Sequence, residues 1–247
     1  MKLLLLFFFY ALALTVALAR AGYRGRAVLP TNTSRKRPSR ILIIGATGGT
    51  GRQLVAQALE RGYFVTALVR KAAKLEMAHP QLKVVNGDVL DYASLEAAMA
   101  GQDAVLSALG HKRFLFPTWI LSEGTRNILR AMKAHSVPRL VCETSLGLGD
   151  SAGRMGLFYT FFIIPLILPF YFWDKTRQER IIVESEAEWV IVRPGALTNG
   201  IKRGQTRHGR NLGSFLATLR ISRADVADFM LNQLVSDTYL RTAVSVC

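Results

Sequence analysis

Three side chains of this sequence could take part in one reaction: Ser145, Tyr171 and Lys175. Tyr171-Phe172-Trp173-Asp174-Lys175 has the spacing Tyr-x-x-x-Lys, which puts the phenol and the ammonium on one face of a helix. There the lysine would lower the phenol's pKa, and the phenol could give a proton to a group receiving hydride. Tyr171 also ends an aromatic run, where composition alone can produce the match. Thr144-Ser145 follows a short apolar run, Leu140 to Cys142, so both hydroxyls fall at a strand end. A hydroxyl there can face a reacting group or satisfy nearby backbone. Which reaction they serve depends on the partner held beside them, and the chain offers a place for a dinucleotide.

The place for that dinucleotide is Ile41-Leu42-Ile43-Ile44 followed by Gly45-Ala46-Thr47-Gly48-Gly49-Thr50-Gly51. Branched apolar residues in a row suit a strand buried on both faces, and Leu54, Val55, Ala58 and Leu59 recur at helical spacing. The sequence therefore predicts strand, tight turn and helix. Gly45 permits the turn, Gly48 admits a pyrophosphate and Gly51 seats the helix, whose N-terminus offers free N–H groups and a positive dipole. Thr47, Gly49 and Thr50 complete this loop. A second strand, Tyr63 to Val69, ends in Arg70-Lys71 with Lys74 close behind and no acid. A cation at this strand end suits the 2′-phosphate of NADP rather than the free ribose of NAD. Arg70 is the expected contact, with Lys71 and Lys74 as helpers. Asp88 and Val89, after a third strand, would flank the adenine, although Asp88 could instead cap its turn. Leu109-Gly110, after a fourth strand, bends the chain towards the site, and Thr144 borders it.

These positions need an α/β frame. Strands and helices alternate through Ser94–Ala100, Ala104–Ser107, Pro117–Ala134, Leu140–Cys142 and Trp189–Val192, and Thr242–Val246 closes the sheet. The expected fold is a Rossmann-like doubly wound parallel sheet, one domain behind an N-terminal hydrophobic leader. Ser222-Arg223-Ala224-Asp225 opens a last helix as a capping box. His79, His111, His135 and His208 have no metal-ligand spacing; the last three are read as surface or loop residues, and no metal site is expected. Cys142 and Cys247 do not suggest a disulfide framework.

Several of these motifs together resemble the atypical short-chain dehydrogenase/reductase superfamily: the glycine loop, Val69-Arg70, Gly87-Asp88-Val89, Gly101 to Val105, Ser122 to Ile128, Ala131 to His135 and Arg193-Pro194-Gly195. The likeness runs from about Arg40 to the C-terminus. Within it the chain looks like the NAD(P)H-binding (NmrA-like) proteins that include flavin reductase, also called biliverdin IXβ reductase. The resemblance implies an NADP(H) cofactor and a serine beside the nicotinamide, matched by Ser145. Where those reductases carry a histidine, this chain has Glu179, which could equally form a surface i,i+4 pair with Lys175.

Lys plus Arg exceed Asp plus Glu by 15, and residues 1–40 hold eight of the basic residues with no acid. The remaining charge suits an anionic cofactor or membrane surface, and no nucleic-acid reading motif is present. The expected division is a hydrophobic signal or anchor segment at 1–19, a basic linker at 20–39 and an NAD(P)-binding Rossmann domain at 40–247. Dense positive charge after the apolar run favours an uncleaved anchor with the domain on the cytosolic side. A cleaved leader to an organelle or the secretory pathway is the alternative, and Asn32-Thr33-Ser34 is a sequon only in that case. Gly156 to Trp173 is almost wholly apolar but broken by Pro165 and Pro169, so it is expected to rest on lipid as an interfacial flap or to lie beneath the sheet as core. Lys202 to Arg210 is expected as a mobile loop over the pocket or against acidic lipid. The function that follows is an NADPH-dependent oxidoreductase passing hydride to a flavin, quinone or similar conjugated acceptor. Its alternative is a non-catalytic NADP(H)-binding redox sensor or membrane-side assembly factor.

Overall fold

A computed structural model describes residues 2–22 and 37–247. The sequon at Asn32 and most of the basic linker lie outside the described residues. Helix α1 spans Lys2–Ala21. There follow β1 (Arg40–Ile44), α2 (Gly49–Glu60), β2 (Phe64–Val69), β3 (Leu82–Asn86), α3 (Tyr92–Met99), β4 (Ala104–Ser107), α4 (Ile120–Ala134) and β5 (Arg139–Glu143). A π-turn at Tyr159–Ile163 leads into short α5 (Ile164–Leu166) and then α6 (Pro169–Val183). The chain ends through β6 (Glu188–Pro194), β7 (Ala196–Thr198), β8 (His208–Gly209), β9 (Arg220–Ser222), α7 (Arg223–Asn232) and β10 (Thr242–Val246).

The main sheet has the order β3-β2-β1-β4-β5-β6-β10-β8 and is parallel except for β8, which pairs antiparallel with β10. Alternation within β1 explains why two layers of helix form. Ile41 and Ile43 join the cluster under α2 and α7, while Leu42 and Ile44 join the one under α3 and α4. The order reverses between β1 and β4, so the crevice that binds ligands in such folds opens there, at the carboxyl ends of the strands. The sheet is the expected doubly wound frame.

Asp174 on α6 holds α4 in place. Its carboxylate accepts from Leu121 N (2.9 Å), Ser122 N (3.2 Å) and Ser122 Oγ (2.5 Å), capping the start of α4 from another helix. That is why α4 begins at Ile120 rather than at Pro117. Asp225 N bonds to Ser222 Oγ at 3.0 Å, as the capping box requires. The Asp225 carboxylate departs from that pattern: it takes Arg203 N and Gly204 N (2.8 and 3.0 Å) and so fastens the 202–210 loop beside α7. This loop does not line the cleft.

A third apolar cluster joins the leader to the domain. Leu18 of α1 is buried with Leu146, Leu148, Met155, Ile164 and Phe172, and Leu14 packs at its edge. Arg180 donates to Ala21 O at 2.9 Å. The C-terminal half of α1 is therefore built into the fold.

Candidate functional site

Strand ends Ile44, Val69, Ser107, Glu143 and Pro194 define one edge of the sheet, and along it runs a cleft of about 1180 Å3. That exceeds the usual size of a single small-molecule pocket and leaves room for a dinucleotide with a second ligand. The glycine loop forms its floor. Gly45 has φ +79°, and a Cβ there would lie 2.4 Å from Ala108 O. A Cβ on Gly51 would lie 2.0 Å from Gly45 O, so α2 can sit on the turn only with glycine at this position. Gly48, the N-cap of α2, has no side chain to occupy the first-turn N–H groups, and Gly48, Gly49 and Thr50 all line the cleft. A pyrophosphate fits this cradle.

At one end Arg70 and Lys74 line the cleft together with Arg52, a cation that motif reading missed because it lies on α2 rather than at a strand end. Arg52 is held by Thr47 O (3.3 Å) and by Lys74 O. Lys71, expected as a helper, is exposed and does not line the cleft. Asp88 and Val89 do line it; Asp88 also accepts from Leu90 N at 3.0 Å, so it caps its turn as well.

At the other end the structure brings Leu109, Gly110, Thr144, Ser145, Tyr171 and Lys175 together. The Tyr171 hydroxyl lies 3.3 Å from where a Cβ on Gly110 would be, and Lys175 Nζ stands 5.2 Å from the centre of the Tyr171 ring. Lys175 is buried. Burial opposes its charge, but Tyr171, Glu143, Cys142 and Glu179 together outweigh that cost and hold its pKa above the ordinary lysine value. Ser145 Oγ donates to Leu146 O at 2.9 Å, which leaves its lone pairs to accept and gives the hydroxyl another bond to break before it can donate. The Thr144 hydroxyl is already committed, donating to Glu179 Oε1 at 2.7 Å.

Glu179 overturns the surface-pair reading. It is fully buried, and Arg193 donates to both its oxygens, Nε to Oε1 at 2.9 Å and a terminal nitrogen to Oε2 at 2.6 Å. Arg193 also reaches Asp150. Strand-end Thr144, helix α6, strand β6 and the turn at Asp150 are thereby tied together behind the cleft.

Two further cleft residues had no local signal. Glu143 ends β5, accepts from Thr50 Oγ1 at 3.0 Å, and has its pKa raised by burial against the opposing charges of Lys175 and Arg223. His111 follows Gly110 in a loop, as expected, but its ring is half-buried and packs edge-on to Tyr171 with centroids 4.9 Å apart. Burial lowers its pKa; its Nδ1 accepts from Arg113 N (3.1 Å) and its Nε2 pairs with Thr118 Oγ1 (2.9 Å). A neutral ring with the proton on Nε2 satisfies both contacts. Burial also pushes the Cys142 thiol up to about 12, so it is no nucleophile.

Residues 45–237 match the profile of a family described as NAD(P)H-binding. An uncharacterized chloroplastic protein of Arabidopsis thaliana is 31% identical over 173 residues, covering 65% of this chain and 60% of that protein. The chain spans no more than about 60% of the length of the first curated relatives it matches. Among solved structures, the anaerobillin reductase ChuY of Escherichia coli O157:H7 superposes with a TM-score of 0.70 at 23% identity, covering 84% of this chain and 96% of that one. A short-chain dehydrogenase/reductase of Veillonella parvula in complex with NADP gives 0.71 at 18% identity, covering 85% and 94%. At such identities the two structures establish the fold.

Proposed function

Because the chain belongs to the NAD(P)H-binding family, we propose that it is an NADPH-dependent reductase of the atypical short-chain dehydrogenase/reductase type, acting on a flavin, quinone or similar conjugated acceptor. The observation that carries this reading is the meeting of Tyr171, buried Lys175 and Ser145 at the end of the cleft remote from Arg70, beside the apolar side chains of Met155, Tyr159, Leu168 and Phe172. A bound reduced nicotinamide supplies two electrons and a proton as hydride, so that NADPH, one H+ and the acceptor become NADP+ and the two-electron-reduced acceptor. The protein's own part is to bind and orient. The α2 N-terminus and the 45–51 loop hold the pyrophosphate, and Arg70 with Arg52 and Lys74 holds the 2′-phosphate. Lys175 holds a ribose hydroxyl, Ser145 bonds the acceptor oxygen or nitrogen, and Tyr171 stands ready to give a proton to an acceptor that cannot draw one from solvent. The apolar side chains exclude water from that end.

The test is NADPH oxidation by the purified full chain, followed at 25 °C with a panel of flavins and quinones. Turnover of one of these classes supports the reading. Tight NADPH binding with no turnover of any acceptor replaces it with the non-catalytic sensor or assembly role.

Cofactor choice is tested separately. NADPH is expected to bind more tightly than NADH by roughly 1 to 3 kcal/mol, the scale of charge-assisted bonds to one phosphate. Calorimetry of the wild type and Arg70→Ala checks it: the variant should lose most of the difference, and equal wild-type affinities would rule the 2′-phosphate contact out.

A further inference from the structure

Most of the large apolar side chains exposed on the described residues sit on four segments around one end of the cleft. Phe7 of α1 meets Phe162 (centroids 5.9 Å), Phe8 meets Phe161 (5.5 Å), and Tyr10 OH donates to Pro165 O at 3.4 Å. Leu157 N bonds to Leu216 O at 3.4 Å, and Arg154 covers the Phe215 ring. Phe114 packs on Tyr171 at 5.5 Å and brings the 114–116 loop to the same end. These four segments leave large apolar side chains in solvent: Leu3 (83% exposed), Phe9 (68%), Phe116 (72%), Phe158 (59%), Leu166 (55%) and Leu216 (77%). Single exposed leucines are ordinary, but contiguous patches of this kind mark a docking surface.

The same elements wall the cleft. Tyr159, Leu168, Tyr171 and Phe172 line it, while their neighbours Phe158, Ile167, Phe170 and Trp173 are exposed. Each of these short elements therefore has cavity on one side and an exposed apolar surface on the other. Charge identifies what lies against it. From Ser151 to Trp173 the one charged residue is Arg154, and α1 carries Lys2 and Arg20 and no acid. The adjoining loops add Lys112, Arg113 and Arg210. An apolar face flanked by cations, whose neighbouring acid Asp150 is already paired with Arg193, complements an anionic lipid leaflet.

We infer that α1 and residues 157–173 form one platform lying in the surface of an anionic bilayer, and that the acceptor is an amphiphile, a reducible conjugated head on a hydrocarbon tail, entering from that leaflet. Helix α1 has the length and apolarity to cross a membrane, with a mean hydropathy of 2.2 and 11% of the apolar window buried. Its contacts from Phe7 to Ala21 with the wall of the cleft nevertheless keep it beside the domain, so it lies on the leaflet rather than across it. The acceptor class rests on the reductase reading, whereas the platform does not.

The experiment uses the full chain, exchanged from detergent into vesicles of phosphatidylcholine with phosphatidylglycerol and floated on a density gradient. Wild type should float, and Leu157→Asp/Phe158→Asp/Leu166→Asp, none of which lines the cleft, should lower partitioning on the order of 100-fold with NADPH binding unchanged. In a Trp119→Phe background, lipids brominated near the headgroup should quench Trp173. A variant that floats like wild type, a Trp173 that brominated lipid does not quench, or a wild type that stays soluble as an oligomer without lipid overturns the platform. For the acceptor, a decyl-tailed quinone dissolved in the vesicles should be reduced faster by wild type than by the triple variant, while a tailless water-soluble quinone is reduced equally by both. Equal rates with the tailed quinone overturn entry from the leaflet. No turnover of either quinone overturns the acceptor class, the reductase reading falls only if the flavin panel is not turned over either, and flotation and quenching still decide the platform.

Discussion

Replacing Tyr171 with Phe slows reduction of a simple carbonyl acceptor by roughly 2 to 4 orders of magnitude and leaves reduction of a flavin or quinone nearly unchanged. The difference comes from where the second proton must be found. A carbonyl that accepts hydride becomes an alkoxide, too basic to wait for solvent in a walled cleft, and the phenol beside Gly110 is the donor within reach. A reduced flavin or quinone spreads its charge over a conjugated system and can wait to take its proton from water until it leaves the cleft. Ser145→Ala should do the reverse on quinones, slowing turnover several-fold without weakening NADPH binding, because the serine bonds the acceptor and not the cofactor. Steady-state rates of both variants on both acceptor classes give the answer. A carbonyl rate unaffected by Tyr171→Phe would remove the tyrosine from the chemistry and leave it as part of the apolar wall.

Arg193→Met is expected to cost roughly 3 to 5 kcal/mol of stability, the scale for breaking a buried ion pair from one side. Glu179 would be left buried without either donor from the guanidinium. Adding Glu179→Gln to the same chain removes the stranded carboxyl and should recover the larger part of the loss. Urea titrations of the two variants and the wild type in one detergent measure this. Single and double variants of equal stability would mean that the guanidinium contributes packing and little electrostatics.

The nucleotide half of the site was legible because its signals are local. The run Ile41–Ile44, the turn at Gly45 and the seat at Gly51 lie within a dozen residues, and each constraint acts on the backbone at its own position. Arg70 was found by its place at a strand end. Arg52 was missed because its reach to Lys74 is a tertiary contact, and Lys71 was included because adjacency in sequence does not decide which side of the chain a lysine leaves. The supporting half was hidden for the same reason. Glu179 and Arg193 sit on different elements, and nothing in Lys175-x-x-x-Glu179 distinguishes a surface pair from a carboxylate bound to a strand behind it. Asp174 lies within the Tyr-x-x-x-Lys motif and looks like filler; its function as the cap of α4 exists only once two helices are packed. Hydropathy marked both α1 and residues 156–173 as apolar, but a profile along one dimension cannot say that the two touch.

That contact bears on the order in which the chain can assemble. Tyr10 and Pro165 are 155 residues apart, so α1 leaves the ribosome long before the wall it packs against has been made. Closing a loop of that length costs about 4.5 kcal/mol beyond a constant, which is affordable only once the sheet has already gathered residues 146–172. The earliest helix in the chain is thus among the last to dock. Until then its partner must be something outside the fold, and a lipid leaflet or a chaperone that recognises apolar helices would hold it in the meantime.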